Sequence, residues 1–150
     1  MPVTLHRVDH ATWAADAQVA LDLSRIYADA PAQRLPLPAD DYIRQHLESR
    51  GTFCCARFND RLLGAVAVTE DPEAWWLANF CVRKTTRRRG VGSRLLALVG
   101  EAASRDGRVL RIVSEPLTMD DQLLLSRLGY RPSADGRYFQ FEPPAKESPE

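Results

Sequence analysis

Apolar and polar residues change their period several times along this chain, and each change predicts the boundary of an element. Val3–Val8 alternates and predicts a short first strand. From Ala11 to Ala28 there is neither Gly nor Pro. Trp13, Ala17, Ala20, Leu21, Ser24 and Tyr27 recur there at helical spacing, so the stretch predicts one helix. Pro31–Pro38 holds three prolines and predicts a loop. Asp40 or Asp41 then stands where it could cap a second helix that presents Tyr42, Ile43, His46 and Leu47.

The period next falls to two. Thr52–Phe58 and Arg61–Thr69 predict the arms of a hairpin turned by Asn59-Asp60, with Leu63, Ala65, Ala67 and Thr69 alternating against Leu62, Gly64, Val66 and Val68. Trp75–Arg83 is apolar enough for a central strand. After an interruption at Thr85–Gly92, the residues Val91, Leu95, Leu98, Val99 and Ala102 share one helical face that ends at Gly107. Val109–Ser114 predicts a buried strand and Pro116–Leu128 a last helix with Gly129 at its C-cap. Tyr130–Pro132 and Arg137–Phe141 predict a closing strand pair. The expected architecture is α/β: a mixed, mostly antiparallel sheet of six to seven strands with helices on both faces, formed by residues 1–142. The tail 143–150, PPAKESPE, is expected to be disordered, being too polar and proline-rich to fold alone.

Composition narrows the function classes. The 150 residues carry 20 Lys+Arg and 20 Asp+Glu, a formal net charge of zero, which argues against nucleic acid as a partner. No apolar run approaches the length of a membrane span, and MPVTLHRVDH lacks the features of a signal peptide, so a cytoplasmic location is expected. Cys54, Cys55 and Cys81 make neither a disulfide framework nor a metal spacing, and the three histidines are scattered, so no metal is expected. The positive charge is nonetheless concentrated: Arg83, Lys84, Arg87, Arg88, Arg89 and Arg94 fall within 12 residues. On a neutral chain that pattern points to a local anion site.

The chemistry concentrates in Val82–Leu96. A buried strand ends, a basic stretch turns the chain, Gly90 and Gly92 stand one residue apart, and an amphipathic helix begins. Helix N-termini expose backbone N–H groups and partial positive charge, glycine lets a ligand approach the backbone, and arginines add charge-assisted hydrogen bonds. In physical terms the segment is a pyrophosphate-binding loop. A P-loop would need Gly-Lys-Ser/Thr, whereas Gly92 is followed by Ser93-Arg94. A dinucleotide fingerprint would need a third glycine where Leu95 stands.

Arg87-Arg88-Arg89-Gly90-Val91-Gly92 resembles the acyl-CoA motif of the GNAT acetyltransferases, and the element order looks like that fold over residues 3–142. The resemblance implies acetyl-CoA or coenzyme A as cofactor. It implies that Arg87, Arg88, Arg89, Gly90, Val91, Gly92 and Ser93 surround the pyrophosphate, and that the strand residues Phe80, Cys81 and Val82 run beside the pantetheine arm. Many GNAT enzymes also place a Glu on that strand and a Tyr four residues before the Gly that ends the last helix. Here Trp76–Val82 holds no acid and the tyrosine position is Leu125. Glu73 and Glu115 remain as weak catalytic candidates, Tyr130 and Tyr138 are expected in the core, and the Trp75-Trp76 pair could line an acceptor or partner groove.

Ala56–Thr69, Val82-Arg83, Thr86–Gly92 and Leu95-Leu96 together look like a narrower group, the PanZ (PanM) family. Those proteins are GNAT-fold acetyl-CoA sensors that act on aspartate 1-decarboxylase, promoting maturation of its precursor and limiting its activity. That resemblance implies a partner surface to which Asn59, Arg88 and Arg89 contribute. Three readings stay open at this point: a CoA-dependent regulator, a working N-acetyltransferase for a primary amine, and a GNAT-like domain that has lost its cofactor.

Overall fold

The computed structural model describes residues 3–31, 34–87 and 89–142; the expected tail 143–150 and Arg88 lie outside these. The chain runs through β1 (Thr4–Val8), α1 (His10–Ala15), α2 (Ala17–Ala28), α3 (Ala39–Glu48), β2 (Thr52–Phe58), β3 (Arg61–Glu70) and β4 (Ala74–Val82). It continues through α4 (Val91–Arg105), β5 (Val109–Val113), α5 (Met119–Arg127), β6 (Arg131–Pro132) and β7 (Tyr138–Phe141). The strands form one seven-stranded sheet in the order β1-β2-β3-β4-β5-β7-β6. Every neighbouring pair is antiparallel except β4 and β5. This is the mixed, mostly antiparallel sheet that the periodicity predicts.

Two apolar cores sit on the two faces. On one, Leu23, Ile26 and Tyr27 of α2 and Tyr42, Ile43 and Leu47 of α3 pack against Phe53, Cys55 and Ala67. On the other, Val91, Leu95 and Val99 of α4 and Leu125 of α5 pack against Cys54, Val66, Val68 and Leu110. The two adjacent cysteines therefore face opposite cores, and all three cysteines are buried free thiols. On α4 the buried stripe is Val91, Leu95, Val99, Gly100 and Ala103; Leu98 and Ala102 flank it instead of lying in it.

Several boundaries differ from the periodicity for local reasons. The expected helix Ala11–Ala28 is two helices, because Asp16 leaves helical geometry and its carboxylate accepts the amides of Gln18 and Val19 at 3.0 and 3.2 Å. A short acidic side chain competes with the backbone ladder and starts a helix in place of continuing one. Neither Asp40 nor Asp41 caps α3. Pro38 stands at its N-cap, and both acids lie in the first turn, where the helix dipole favours them. The last helix begins at Met119, not Pro116, since Thr118 and Asp121 form a reciprocal capping box.

Strict alternation along β3 also fails. Leu62 shares a face with Ala65, an odd spacing, because β3 bulges where Arg57 pairs with Leu62 and Ala56 with Gly64. The hairpin turn itself is as expected, with Asn59 and Asp60 both left-handed at φ 50° and 62°. Its base is held by Asp22 of α2, whose side chain is only 2% exposed. That carboxylate takes three contacts from the Arg61 guanidinium, at 2.8 Å from Nη2 and at 3.1 and 3.2 Å from Nε, and accepts the Leu62 amide at 3.0 Å and the Gln18 side-chain amide at 2.9 Å.

Burial opposes ionisation of Asp22, but these donors outweigh it and hold the carboxyl below its usual range. Its stabilising contribution is therefore complete above the ordinary carboxylate pKa and is lost as pH falls through the lowered value. Asp22→Ala leaves the buried Leu62 amide without a partner and should cost about 2 kcal/mol. Urea denaturation at neutral pH reads this directly, and the gap between wild type and D22A should shrink as the pH is taken below about 4.

Candidate functional site

The site begins where the sheet stops being continuous. β4 and β5 pair only over Ala74–Trp76 and Val109–Arg111; from Leu77 onward β4 has no neighbour on that side. The two strands part, and a cleft of about 790 Å³ opens between them, within the range of small-molecule sites. Leu77–Val82 line one wall; Ile112, Leu124 and Leu125 contribute to the other.

A bulge places this free edge. Ala65 pairs with Cys81 but Ala67 pairs with Ala78, so β4 spends one more residue than β3 over the same length. The extra residue reverses the side-chain alternation: Leu77 and Val82 share the α4 face although five residues separate them, and Cys81 turns to the α2 face. Asn79 carries the strain, with φ 51°. Two tyrosines hold it: the Tyr27 hydroxyl donates to the Asn79 carbonyl at 2.8 Å, and the Asn79 side-chain amide donates to the Tyr42 hydroxyl at 2.7 Å. The Cys81 thiol donates to the Ile26 carbonyl at 3.2 Å, and burial pushes its pKa up, so it is a poor nucleophile.

At the end of the free edge lies the N-terminus of α4. Gly90 takes the N-cap position at φ 80°, a left-handed conformation that a side chain rarely adopts, and no side chain caps the helix. The first bond back into the helix is from the Arg94 amide to the Gly90 carbonyl, at 3.0 Å. The amides of Val91, Gly92 and Ser93 therefore belong to the open first turn. Gly92 leaves room for Phe80: a Cβ there would sit 2.9 Å from the far end of that ring, which rests over it on the cleft wall and would have to shift.

The basic loop is divided in its roles. Arg87 lines the cleft and is tied to the backbone there, its Nε donating to the Val82 carbonyl and its Nη2 to the Asp29 carbonyl, both at 3.1 Å. Arg83 pairs with the Asp29 carboxylate at 3.1 Å. Arg89 and Arg94 are exposed and have no ion-pair partner among the described residues. Thus Phe80, Cys81, Val82, Arg87, Gly90, Gly92 and Ser93 meet around one cleft, Val91 is buried in the core beneath it, Arg89 does not line it, and Arg88 lies outside the described residues.

Other sites proposed from sequence fall elsewhere. Glu73 sits at the opposite end of β4, beside Arg111 and exposed, and Glu115 is exposed after β5; neither lines the cleft. Trp75 is buried with Arg7 over its ring at 4.5 Å, and Trp76 is tied to Asp71 and stacked edge-on against Tyr138, so the pair does not line the cleft. Tyr130 packs on Phe141 in the core, as expected. Leu125 occupies the tyrosine position and is buried against the cleft. The acid that does line the cleft among the described residues is Asp121, which is bound to Arg34 across its mouth. Tyr27, Asn79 and Tyr42 escaped the reading of a site, since their spacing signals only helix and strand. Among the described residues no cluster of His, Cys, Asp and Glu is set to hold a metal ion, and no helix is long and apolar enough to cross a membrane.

A parted β4–β5 pair, a bulge beside it and an open helix N-terminus at its end define a GNAT-type fold, and solved structures agree. A GNAT-family acetyltransferase from Desulfovibrio desulfuricans superimposes with a TM-score of 0.70 over 94% of this chain and 99% of that one, at 16% identity. A GNAT-family acetyltransferase from Elizabethkingia anophelis, solved with acetyl-CoA bound, gives a TM-score of 0.63 over 87% and 77% at 22% identity. More narrowly, residues 3–108 match the family described as acetyltransferase (GNAT) domain, PanZ, and the chain belongs to that family. A PanD regulatory factor from Salmonella typhimurium is 38% identical over 96 residues, 64% of this chain and 65% of that protein.

Asn79 separates strain from bonding. Asn79→Ala loses the bond to Tyr42 and places an unfavoured residue at φ 51°, and should cost about 2 kcal/mol in chemical denaturation. Asn79→Gly keeps the backbone free and should cost less than half as much. Equal losses in the two variants would show that the side-chain bond alone sustains the bulge.

Proposed function

We propose that this chain is an acetyl-CoA-dependent regulator of aspartate 1-decarboxylase maturation. The observation that carries the reading is the open first turn of α4, with Gly90 and Gly92, set at the end of the unpaired half of β4. Such a turn suits a pyrophosphate, and a free strand edge suits an amide-bearing arm that adds to it as an extra strand would. The amides of Val91, Gly92 and Ser93, with the guanidinium groups of Arg89 and Arg94, would hold the diphosphate; Phe80–Val82 would line the pantetheine. The bound thioester supplies a signal of acetyl-group supply and an activated acyl carbonyl.

Turnover is less well supported. General acid–base help requires a titrating side chain within hydrogen-bond reach of the reacting atoms. The cleft offers Leu125 where a proton donor would stand, Asp121 is engaged by Arg34, and the Tyr27 hydroxyl is committed to a backbone carbonyl while burial raises its pKa. A cleft of this kind binds without spending its ligand.

The partner reading rests on family membership and on the similarity to the Salmonella PanD regulatory factor. Geometry favours a common surface. The Arg83 amide donates to the Leu63 carbonyl at 2.9 Å, so the exposed Asn59 turn and the basic loop with Arg89 leave the same end of the sheet. We place the chain in the cytoplasm, where acetyl-CoA and a decarboxylase precursor would be met.

Isothermal titration with acetyl-CoA should give saturable heat for the wild type and at least about tenfold weaker binding for Gly90→Val, since a β-branched residue cannot hold φ 80° without remodelling the turn. Acetyl-CoA should also be needed for the chain to capture an aspartate decarboxylase precursor. Rapid thiol release with a panel of amines, in the absence of that partner, would replace this reading with that of an N-acetyltransferase.

A further inference from the structure

Of the cations crowded into Arg83–Arg94, two are tied to a single residue of α2. Asp29 is the C-cap of α2. Its carboxylate accepts the Lys84 amide at 3.0 Å and the Arg83 Nε at 3.1 Å, and its carbonyl accepts the Arg87 Nη2 at 3.1 Å. We propose that Asp29 is a positioning residue for the acyl-CoA loop, holding its N-terminal half against α2 so that the open turn of α4 is formed before ligand arrives. The inference rests on the reading of that turn as the pyrophosphate cradle.

Three features make this more than a surface ion pair. The contacts fall on backbone as well as side chains: the Lys84 amide is fixed directly, and Arg87, once held by Asp29, reaches on to the Val82 carbonyl at the end of β4. The loop is thereby tied at its start to α2 and to the strand it leaves. The charge pattern is also matched, because the negative end of the α2 dipole faces the basic segment while the positive end of α4 faces the cleft. The Lys84 amide foremost, and then Arg83, hold the Asp29 carboxyl below its usual range, so the anchor stays ionised at neutral pH. Finally, a loop holding so many cations would repel itself; pairing Arg83 with the Asp29 carboxylate and tying Arg87 to the Asp29 carbonyl relieves that repulsion where the loop begins.

A preorganised loop binds without first meeting an ordering cost, so loss of the anchor should appear as loss of affinity. In the full chain, Asp29→Ala should bind acetyl-CoA about tenfold more weakly in calorimetry, and Asp29→Asn, which keeps an acceptor for the Lys84 amide, should fall between it and wild type. Amide hydrogen exchange without ligand should speed up in D29A at Lys84–Arg87 and remain unchanged in the β2–β3–β4 ladder. Affinity in D29A equal to or tighter than wild type, through an Arg83 freed to meet phosphate, would overturn the inference, as would faster exchange throughout the sheet. A wild-type chain that takes up no acetyl-CoA would overturn the cradle reading first and this inference with it; normal wild-type binding beside an unaffected D29A would overturn the inference alone.

Discussion

Backbone amides and carbonyls inside a protein need partners, and half of β4 leaves its side toward β5 unmet. The pairing of β4 with β5 ends at Trp76 and Arg111, so the stretch Leu77–Val82 is a sheet edge placed in the middle of a sheet. Edges exposed at the rim invite aggregation; this one is enclosed by α2, α4 and α5 and opens only onto a cleft. A ligand with amides of its own is the natural completion. The rest of the fold maintains the gap: α5 fills its far wall with Leu125, and α4 begins at its end with amides that have no internal partner.

Holding two adjacent strands apart requires an account of the side chains, and the bulge at Asn79 provides it. With strict alternation, Leu77 and Cys81 would fall in the same core; the extra residue lets Leu77 and Val82 serve one core and Cys81 the other. The cost is a left-handed asparagine, offset by hydrogen bonds to Tyr27 and Tyr42 from two different helices. Those helices thus do more than cover the sheet. Through Tyr27 α2 governs the bulge, and through Asp22 it governs the hairpin base.

The same economy extends to the polar side chains around the cleft. Several polar side chains that line the cleft are paired within the protein: Tyr27 to a carbonyl, Asp121 to Arg34, Arg87 to two carbonyls. Such pairing restrains the cleft lining from within the protein.

Much of this was legible in the chain itself. Hydrophobic period located six of the seven strands within a residue or two and found the two-residue seventh. Arg-x-x-Gly-x-Gly marked the start of a helix, and Gly90 stands at the N-cap of α4 with no side chain capping it. Local chemistry of that kind is written in neighbouring residues. Asp29, Asp22, Tyr27 and Asn79 were not legible, because each acts on a residue between 37 and 58 positions away, and nothing in their own neighbourhoods marks them. Glu73 and Glu115 looked available in one dimension, yet the sheet sends Glu73 to the opposite end of its strand and leaves Glu115 outside the cleft. Residue order determined which segments become strands and helices and where an anion could rest; the packing of those segments chose which side chains meet, since contact between distant residues depends on strand register and helix placement, which are properties of the assembled sheet.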